Sequence, residues 1–226
     1  MPDTLSSADL RHVDHWLFDL DDTLYPAETE LMDLIRERIG AFIVKVTGLP
    51  WEEASQLQRG WLLQHGATLP GVLVDYDIAP AEFLDFVHDV PLDKVPRDPE
   101  LDAILNILPG RKYVFTNGSA AHAERLLDHI GIADRFEGVF HLEAADLIPK
   151  PHPQTYAKMI AHFGIAPTAS VFFEDSEKNL EHAAELGMTT VLVGPHAERS
   201  TAPHVQYRTH HLTPFLRAAA VKELAR

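Results

Sequence analysis

Short apolar runs alternate with helix-like segments along this chain. The runs are Trp16-Leu17-Phe18, Tyr113-Val114-Phe115, Val139-Phe140, Val171-Phe172-Phe173 and Val191-Leu192-Val193. Each run is apolar at consecutive positions and rich in aromatic or β-branched residues, which is typical of strands buried on both faces of a parallel sheet. Helical periodicity lies between the later runs, over 119–130, 153–163 and 176–186, and each of these segments is followed by a glycine. The order predicts an α/β fold with a doubly wound, mostly parallel, Rossmann-like sheet.

A long helical insert interrupts this rhythm after the first strand. Roughly ninety residues separate Leu20 from Tyr113, more than a simple crossover needs. Apolar residues at helical spacing predict a helix over 31–47 that ends near Gly48, and further helices over 51–64 and 81–88. Asp98 caps a fourth helix. We predict an all-helical cap domain with its hinges over 24–110, inserted into a catalytic core formed by 1–23 and 111–226.

Composition narrows the choice of partners. The chain has 19 Lys and Arg against 34 Asp and Glu, a net charge of −15, which argues against nucleic-acid polymers and anionic membranes. It has no cysteine, which excludes thiol nucleophiles and zinc–cysteine sites.

The first twenty residues lack the apolar run of a signal peptide, so we expect a cytoplasmic protein. The pair His210-His211 has no acidic partner nearby in the sequence, so we assign it to the surface. The oligomeric state is not indicated.

Acidic residues cluster where the first predicted strand ends. Asp19 and Asp21 stand two positions apart, and Thr23 follows them. Ligands of doubly wound sheets bind at the carboxyl ends of the strands. A carboxylate there can attack phosphorus, and a hard cation such as Mg²⁺ needs oxygen ligands. A solvated turn with helix-capping aspartates is the alternative interpretation.

Three later segments add candidate site residues. The run 116–119 (Thr-Asn-Gly-Ser) follows the second strand and opens a helix, where backbone N–H groups suit a phosphate, although an ordinary cap is also consistent. Lys150 lies between two prolines that stiffen its loop, with an exposed loop lysine as the alternative. Glu174 and Asp175 end the fourth strand and suit a metal ion.

Taken in order, these motifs resemble the four motifs of the haloacid dehalogenase-like hydrolase superfamily, over roughly residues 14–195. The resemblance implies a Mg²⁺-dependent phosphomonoesterase that forms an aspartyl-phosphate. Asp19 would be the nucleophile, and Asp21 would act as general acid and then as general base. Thr116 and the Asn117 amide would hold phosphate oxygens. Dehalogenases of the superfamily lack the second aspartate, so Asp21 favours a phosphate ester as substrate.

The resemblance also assigns charge and metal contacts. Lys150 would offset the negative charge of the nucleophile and of the phosphoryl group. Asp19, the main-chain carbonyl of Asp21, Asp175 and Glu174 would hold Mg²⁺, with Glu174 in direct or indirect contact. Catalysis of this kind depends on positioning and electrostatics.

Further segments resemble the pyrimidine 5′-nucleotidase branch of that superfamily. They are the Tyr-Pro pair after Leu24 and the runs 82–88 and 172–176. The resemblance implies a pyrimidine nucleoside 5′-monophosphate as substrate. Where that branch has Tyr-Gly-Thr-Thr-Leu, this chain has His-Gly-Ala-Thr-Leu at 65–69, and a helix C-cap at Gly66 followed by a turn is an equal alternative. The cap residues expected to contact the substrate are Tyr25, His65, Thr68 and Tyr76.

Other functions stay open at this point. A sugar-phosphate phosphatase or a phosphomutase could use the same scaffold. A non-catalytic binding protein could also retain the fold, but it would have no need of a general acid such as Asp21. The expected partner is in any case a small-molecule phosphate ester.

Overall fold

The computed structural model describes residues 8–65 and 67–224. These residues contain a six-stranded sheet in the order β3-β2-β1-β4-β5-β6, in which every neighbouring pair is parallel. The strands are β1 (His15–Phe18), β2 (Arg111–Phe115), β3 (Gly138–Phe140), β4 (Ser170–Glu174), β5 (Thr189–Val193) and β6 (Tyr207–Thr209). The predicted doubly wound α/β fold is confirmed, and β6 is an additional edge strand.

Helices flank the sheet and form the insert. They are α1 (Leu31–Thr47), α2 (Trp51–His65), α3 (Thr68–Asp75), α4 (Pro80–His88), α5 (Pro99–Ile107), α6 (Ala120–Ile130), α7 (Pro153–Phe163), α8 (Glu177–Glu185) and α9 (Leu212–Leu224). Local chemistry explains the bounds. Gly48, Gly131 and Gly164 end their helices in the left-handed conformation, at φ values of 71°, 81° and 64°. The Asp98 side chain accepts from the N–H groups of residues 100 and 101 at 3.0 and 2.9 Å.

The strand order reverses beside β1, which lies at the centre of the sheet between β2 and β4. Phe18 pairs with Val114 on one side and with Phe173 on the other. The residues that follow β1, β2 and β4 therefore meet at one edge, outside the switch point where doubly wound folds bind their ligands.

Consecutive apolar residues in the central strands pack against opposite layers. Trp16 and Phe18 face the layer that contains α5, α6 and α9, whereas Leu17 faces the layer that contains α7 and α8. Successive side chains of a strand point to opposite faces, so both layers need apolar residues. Phe18 stacks on Phe173 of the neighbouring strand with ring centroids 4.9 Å apart.

The cap has a hydrophobic core of its own, made by α1 to α4. Phe42, Trp61 and Phe83 lie at its centre. The fifth helix of the insert behaves differently, because α5 packs its Leu101 and Leu105 into the sheet layer and contacts α9. The packed cap is therefore shorter than the predicted insert, and the domain boundaries at residues 24 and 110 stay predictions.

Two parts of the described chain differ from the sequence-based expectations. Residues 68–75 form α3 where a turn was one alternative, and their Leu69 and Val72 pack in the cap core. The proposed C-cap residue Gly66 lies outside the described residues. Helix α9 was not predicted, and it covers the sheet with Phe215 and Leu216. Within residues 8–65 and 67–224, no helix is both long and apolar enough to cross a membrane.

Candidate active site

Three carboxylates meet at the carboxyl ends of β1 and β4. Asp19, Glu174 and Asp175 place one oxygen each within 4.8 Å of the others. The exposed fraction is 7 % for Asp19 and 0 % for Glu174. The backbone N–H of Asp19 donates to the carbonyl of Phe173 at 2.9 Å, so sheet pairing continues into the site. An all-oxygen set of this kind is what Mg²⁺ takes in proteins.

Lys150 is buried among these carboxylates. Its Nζ donates to Asp19 Oδ1 at 2.8 Å, to Glu174 Oε2 at 2.6 Å and to the carbonyl of Phe115 at 2.8 Å. It is therefore not the exposed loop lysine that the sequence left as an alternative. One ammonium group faces two buried acids and lies close to a third.

Asn117 holds the loop that presents this lysine. Its Oδ1 accepts from the backbone N–H of Lys150 at 2.7 Å, and its Nδ2 donates to the Lys150 carbonyl at 3.2 Å. Both ends of the side-chain amide are thus engaged in positioning Lys150. Any contact between Asn117 and a phosphate would therefore use its main-chain N–H, for which the described residues provide no partner.

The charges at this edge do not balance. Burial and the neighbouring Glu174 raise the pKa of Asp19 to about 7, despite Lys150. Burial and Asp175 raise the pKa of Glu174 to about 7. Burial and Asp19 raise the pKa of Asp175 to about 6. Burial lowers the pKa of Lys150, but its two carboxylate partners outweigh this and the net shift is upward. A divalent cation would relieve the remaining repulsion, so the donor set fits Mg²⁺.

Asp21 has a different environment although it is only two residues away. Its Oδ1 accepts from the Tyr25 hydroxyl at 2.8 Å and faces His122 Nε2 at 2.9 Å. Burial raises the pKa of Asp21, but His122 and Tyr25 more than compensate, and the net shift is downward. The pKa shifts of Asp19 and Asp21 thus have opposite signs. Such a pair of carboxylates is typical of sites where two acids have two roles.

The segment after β2 brings the backbone close to Asp21. Thr116 is buried, and its hydroxyl accepts from the Gly118 N–H at 2.8 Å. A Cβ atom on Gly118 would lie 3.1 Å from the His122 ring, 3.2 Å from Thr116 Oγ1 and 3.6 Å from Asp21 Oδ2. A side chain here would crowd the site, so glycine leaves the space beside Asp21 open.

A cavity of about 350 Å³ separates this edge from the cap. Asp19, Asp21, Thr116 and Lys150 contribute to its floor. The cap side is mainly apolar, with Arg36, Thr68 and His88 as its polar residues among those described. Its apolar residues are Met32, Ile35, Ile39, Leu62, Ala67, Leu69, Pro70, Phe83, Leu84 and Val87.

The four predicted substrate contacts do not converge. Thr68 lines the cavity, whereas His65 and Tyr76 do not. Tyr76 packs edge-on against Trp61 in the cap core, with centroids 6.2 Å apart. The expectation for Tyr25 needs correction, because its ring is buried in the sheet layer and its hydroxyl holds Asp21. The Tyr25 ring is therefore unavailable to stack on a base.

His122 contacts Asp21, and no sequence pattern pointed to it as a site residue. It lies in the first turn of α6, 101 positions from Asp21, and is 1 % exposed. Its position in the sequence gives one indication. His122 lies on the buried face of a helix that directly follows the segment 116–119, so its ring faces the residues of the site.

Comparisons with known proteins settle the family. A family model described as haloacid dehalogenase-like hydrolase matches residues 13–187. The chain belongs to this family. This hydrolase is similar to Phosphate metabolism protein 8 of Saccharomyces cerevisiae, with 27 % identity over 193 residues that cover 78 % of this chain and 60 % of the yeast protein. It therefore spans less than two thirds of the length of that relative.

Two further comparisons extend this result. Fructose-1-phosphate phosphatase YqaB of Escherichia coli is 28 % identical over 183 residues, which cover 77 % of this hydrolase and 93 % of YqaB. The crystal structure of a HAD phosphatase from Thermococcus onnurineus matches with a TM-score of 0.62 and 20 % identity, over 94 % of this chain and 98 % of that one. The structural match shows a shared fold.

Proposed function

We propose that this hydrolase is a Mg²⁺-dependent phosphomonoesterase that works through an aspartyl-phosphate on Asp19. The observation that carries the proposal is that two aspartates of one loop have different surroundings. Asp19 lies beside Lys150 and the other carboxylates, whereas Asp21 lies beside Tyr25 and His122. A nucleophile and an acid–base group need such separate environments. The name of the E. coli relative, a phosphatase, supports the same reaction.

In the first step, a carboxylate oxygen of Asp19 attacks phosphorus and the bond from phosphorus to the ester oxygen breaks. Asp21 gives its proton to the leaving oxygen. Thr116 and the main-chain N–H of Asn117 hold phosphoryl oxygens, and Lys150 offsets their charge. The phosphoryl group adds negative charge beside Asp21, which raises its pKa toward the range that a general acid needs.

In the second step, water attacks the phosphorus of the aspartyl-phosphate. Asp21, now ionised, takes a proton from that water, and the bond from phosphorus to Asp19 breaks. Inorganic phosphate leaves, and both aspartates return to their starting states. The same carboxylate therefore serves both steps in opposite protonation states.

The metal site of this proposal uses Asp19, Asp175, Glu174 and the main-chain carbonyl of Asp21. When bound, Mg²⁺ supplies positive charge to the phosphoryl oxygens and keeps Asp19 ionised. We expect excess chelator to abolish turnover and Mg²⁺ to restore it. Full activity in chelator would contradict the metal requirement and leave the nucleophile open to a separate test.

For the substrate, we propose a pyrimidine nucleoside 5′-monophosphate. The apolar cap side of the cavity, with Phe83 among its residues, suits a planar base. A polyhydroxylated sugar phosphate would need several hydrogen-bond partners, and the cap side has few polar residues. The E. coli relative keeps a sugar-phosphate phosphatase as the second candidate.

The nucleophile is tested with Asp19→Asn. We expect a loss of roughly 10³-fold or more in turnover of 4-nitrophenyl phosphate with Mg²⁺, because an amide is a poor nucleophile. Asp14→Asn is the matched control, since that exposed residue precedes β1 and lies outside the site. Retained turnover in a folded Asp19→Asn protein would disprove the mechanism.

A substrate panel tests the specificity independently. We expect the highest kcat/KM for uridine or cytidine monophosphate, compared with fructose 1-phosphate and glucose 6-phosphate. A higher value for a sugar phosphate would reject the nucleotide and keep the phosphatase. Isomerisation of a sugar phosphate without phosphate release would indicate a phosphomutase. No turnover on any ester would favour a binding protein.

A further inference from the structure

Two stacked histidines connect the cap with the site. His88 is the last residue of cap helix α4, and His122 lies in α6 beside the sheet. Their ring centroids are 4.4 Å apart with an interplanar angle of 14°. His88 Nδ1 also lies 2.9 Å from the Leu84 carbonyl and 3.2 Å from Ser119 Oγ, the N-cap hydroxyl of α6. His88 therefore contacts both its own cap helix and the start of the helix that holds His122.

The polar contact of His122 is with Asp21. A carboxylate oxygen accepts hydrogen bonds, so the hydrogen of the 2.9 Å contact is on His122 Nε2. Its Nδ1 is buried and has no partner among the described residues. An unsatisfied buried polar atom costs about 1–3 kcal/mol. An apolar side chain would fill the same space without that cost, so packing alone does not account for a histidine at this position.

The two donors leave one oxygen of Asp21 for chemistry. Tyr25 and His122 both donate to Oδ1, whereas the space beside Oδ2 is the one that Gly118 keeps open. Rotation of the carboxylate would break both hydrogen bonds. The arrangement therefore holds Oδ2 toward the cavity, where a proton passes to or from the reacting oxygen.

We propose that His122 is a positioning residue for Asp21, and that its stack with His88 couples the docking of the cap to the alignment of this carboxylate. This inference rests on the proposed function. With the cap docked, His88 holds the His122 ring against Asp21. When the cap lifts, His122 loses its stacking partner and Asp21 loses a fixed donor. Acid catalysis by Asp21 therefore takes place only when the cap is docked over the cavity and bulk water is excluded.

Leaving-group dependence separates positioning from packing. Asp21 must protonate an alkoxide such as the nucleoside 5′-oxygen, whereas 4-nitrophenolate leaves with little help. His122→Phe keeps the ring and removes the donor. In single-turnover rapid-quench experiments we expect it to slow cleavage of uridine monophosphate about 10- to 100-fold and of 4-nitrophenyl phosphate less than about threefold.

The controls make this test decisive. His122→Gln retains an N–H donor and should recover part of the rate with the nucleotide. Tyr25→Phe removes the other donor to Oδ1 and should give the same leaving-group signature, which covers the case where a His122 variant fails to fold. Equal losses for both substrates in these variants would overturn the positioning role. A wild type without phosphatase activity would instead reject the proposed function itself.

The coupling to the cap is tested by a double-mutant cycle. His88→Ala should lower the ratio of the nucleotide rate to the aryl rate, and adding it to His122→Phe should cause little further change. Asp85→Ala, at an exposed position of the same helix, is the control and should leave the ratio unchanged. Multiplicative effects of His88→Ala and His122→Phe would show independent residues and overturn the coupling.

A second cluster of titratable side chains lies on the surface, outside the site formed by Asp19, Glu174 and Asp175. His210 and His211 follow β6, and the structure places Glu28, from the turn Ala27–Thr29, beside them. Glu28 Oε1 is 2.9 Å from His210 Nε2, and one ligand atom from each of the three residues lies within 4.8 Å of the others. The acidic partner that the sequence did not provide thus comes from a segment 182 residues away.

We infer that Glu28, His210 and His211 bind a transition-metal dication such as Zn²⁺ or Ni²⁺. Two imidazoles and one carboxylate form a common zinc-type ligand set, and tetrahedral Zn²⁺ ligands stand roughly 3.3–3.5 Å apart, which small side-chain rotations would reach. Bound there, the ion would join the turn before α1 to the segment between β6 and α9.

Nitrogen ligation distinguishes this cluster from the carboxylate site, which has no histidine ligand. One equivalent of Cu²⁺, added to protein saturated with Mg²⁺, should give an EPR spectrum with nitrogen hyperfine coupling. Zn²⁺ affinity by calorimetry should fall at least about tenfold in His211→Ala and in Glu28→Gln. The exposed His196→Ala is the control. Unchanged Zn²⁺ affinity in both cluster variants would overturn the site.

Discussion

The sheet side and the cap side of the cavity are built in different ways. On the sheet side, Asp19, Asp21 and Lys150 are each held by short hydrogen bonds to defined partners. On the cap side, side chains such as Leu62 and Phe83 present apolar surface with few directional contacts. Polar networks tolerate little change, because each lost partner leaves a buried group unsatisfied. Apolar linings accept substitution, so specificity can change on the cap while the chemistry is retained.

The largest expected change in the free energy of unfolding comes from a substitution on the sheet side. Lys150→Met would leave Asp19 and Glu174 buried without their cation. We expect the free energy of unfolding in urea, at pH 8 in chelator, to fall by roughly 3–5 kcal/mol. Lys158→Met removes a more exposed lysine that pairs with Asp146, and it should change the value by less than about 1 kcal/mol. Similar losses in the two variants would remove the contrast between buried and surface pairs.

The contribution of His88, at the boundary between the sheet side and the cap side, to the free energy of unfolding should depend on pH. Burial and His122 lower the pKa of His88 from 6.5 to about 4, so the folded protein favours the neutral ring. This contribution to stability is intact above about pH 6.5 and is lost as the pH falls toward 4.

The matching variant is His88→Phe, which has no titrating group. Between pH 7 and pH 5, we expect the wild type to lose roughly 1–2 kcal/mol more unfolding free energy than His88→Phe, measured from urea midpoints. Parallel pH profiles would show that His88 is not buried at the boundary in solution.

A smaller effect is expected at the rim of the cap. Leu62 is 45 % exposed and lines the cavity, whereas its neighbour Leu63 is 90 % exposed and does not. Leu62→Gln should raise KM for uridine monophosphate about three- to tenfold by removing apolar contact, with kcat unchanged. Leu63→Gln should leave both constants within about twofold. An equal response of the two variants would argue against substrate contact with the cap.

The smallest prediction concerns helix ends. Helix α4 starts at Pro80, and its N-cap residue Ala79 has no side-chain acceptor for the first N–H groups, whereas Asp98 caps α5. Ala79→Asp should therefore stabilise the protein by about 0.5–1 kcal/mol in urea unfolding, with catalysis unchanged. The exposed Ala81→Asp, inside the first turn, is the comparison and should gain less. No gain at position 79 would show that cap helix ends contribute little to global stability.

Most secondary structure was predictable from local signals. The end of α1 at Gly48 and the bounds of α7 at Pro153 and Gly164 follow from residues whose backbone preferences are strong. Strand β6 has the sequence Tyr-Arg-Thr, which lacks the consecutive apolar residues that mark the other strands. Helix α3 was less clear because its start adjoins a Gly-Ala-Thr stretch that also reads as a turn.

Contacts between distant residues were not predictable in the same way. Asp19 and Glu174 could be placed at one sheet edge from the order of the strands, because parallel strands bring their carboxyl ends together. The place of Lys150 beside Asp19 was implied only by the resemblance to the family. That Asn117 would hold the lysine loop, or that Tyr25 would turn inward to Asp21, depends on side-chain packing between loops. No periodicity encodes such contacts.

Patterns a few residues long were enough to predict the α/β class, four of the five inserted helices and the acidic motifs after β1 and β4. Three features depend on tertiary packing: α5 packs on the sheet, Tyr25 and His122 share one oxygen of Asp21, and Glu28 lies beside His210 and His211. The physical reason is distance along the chain. Local propensities place each residue in an element, but hydrogen bonds across a hundred residues form only when packing brings two elements together.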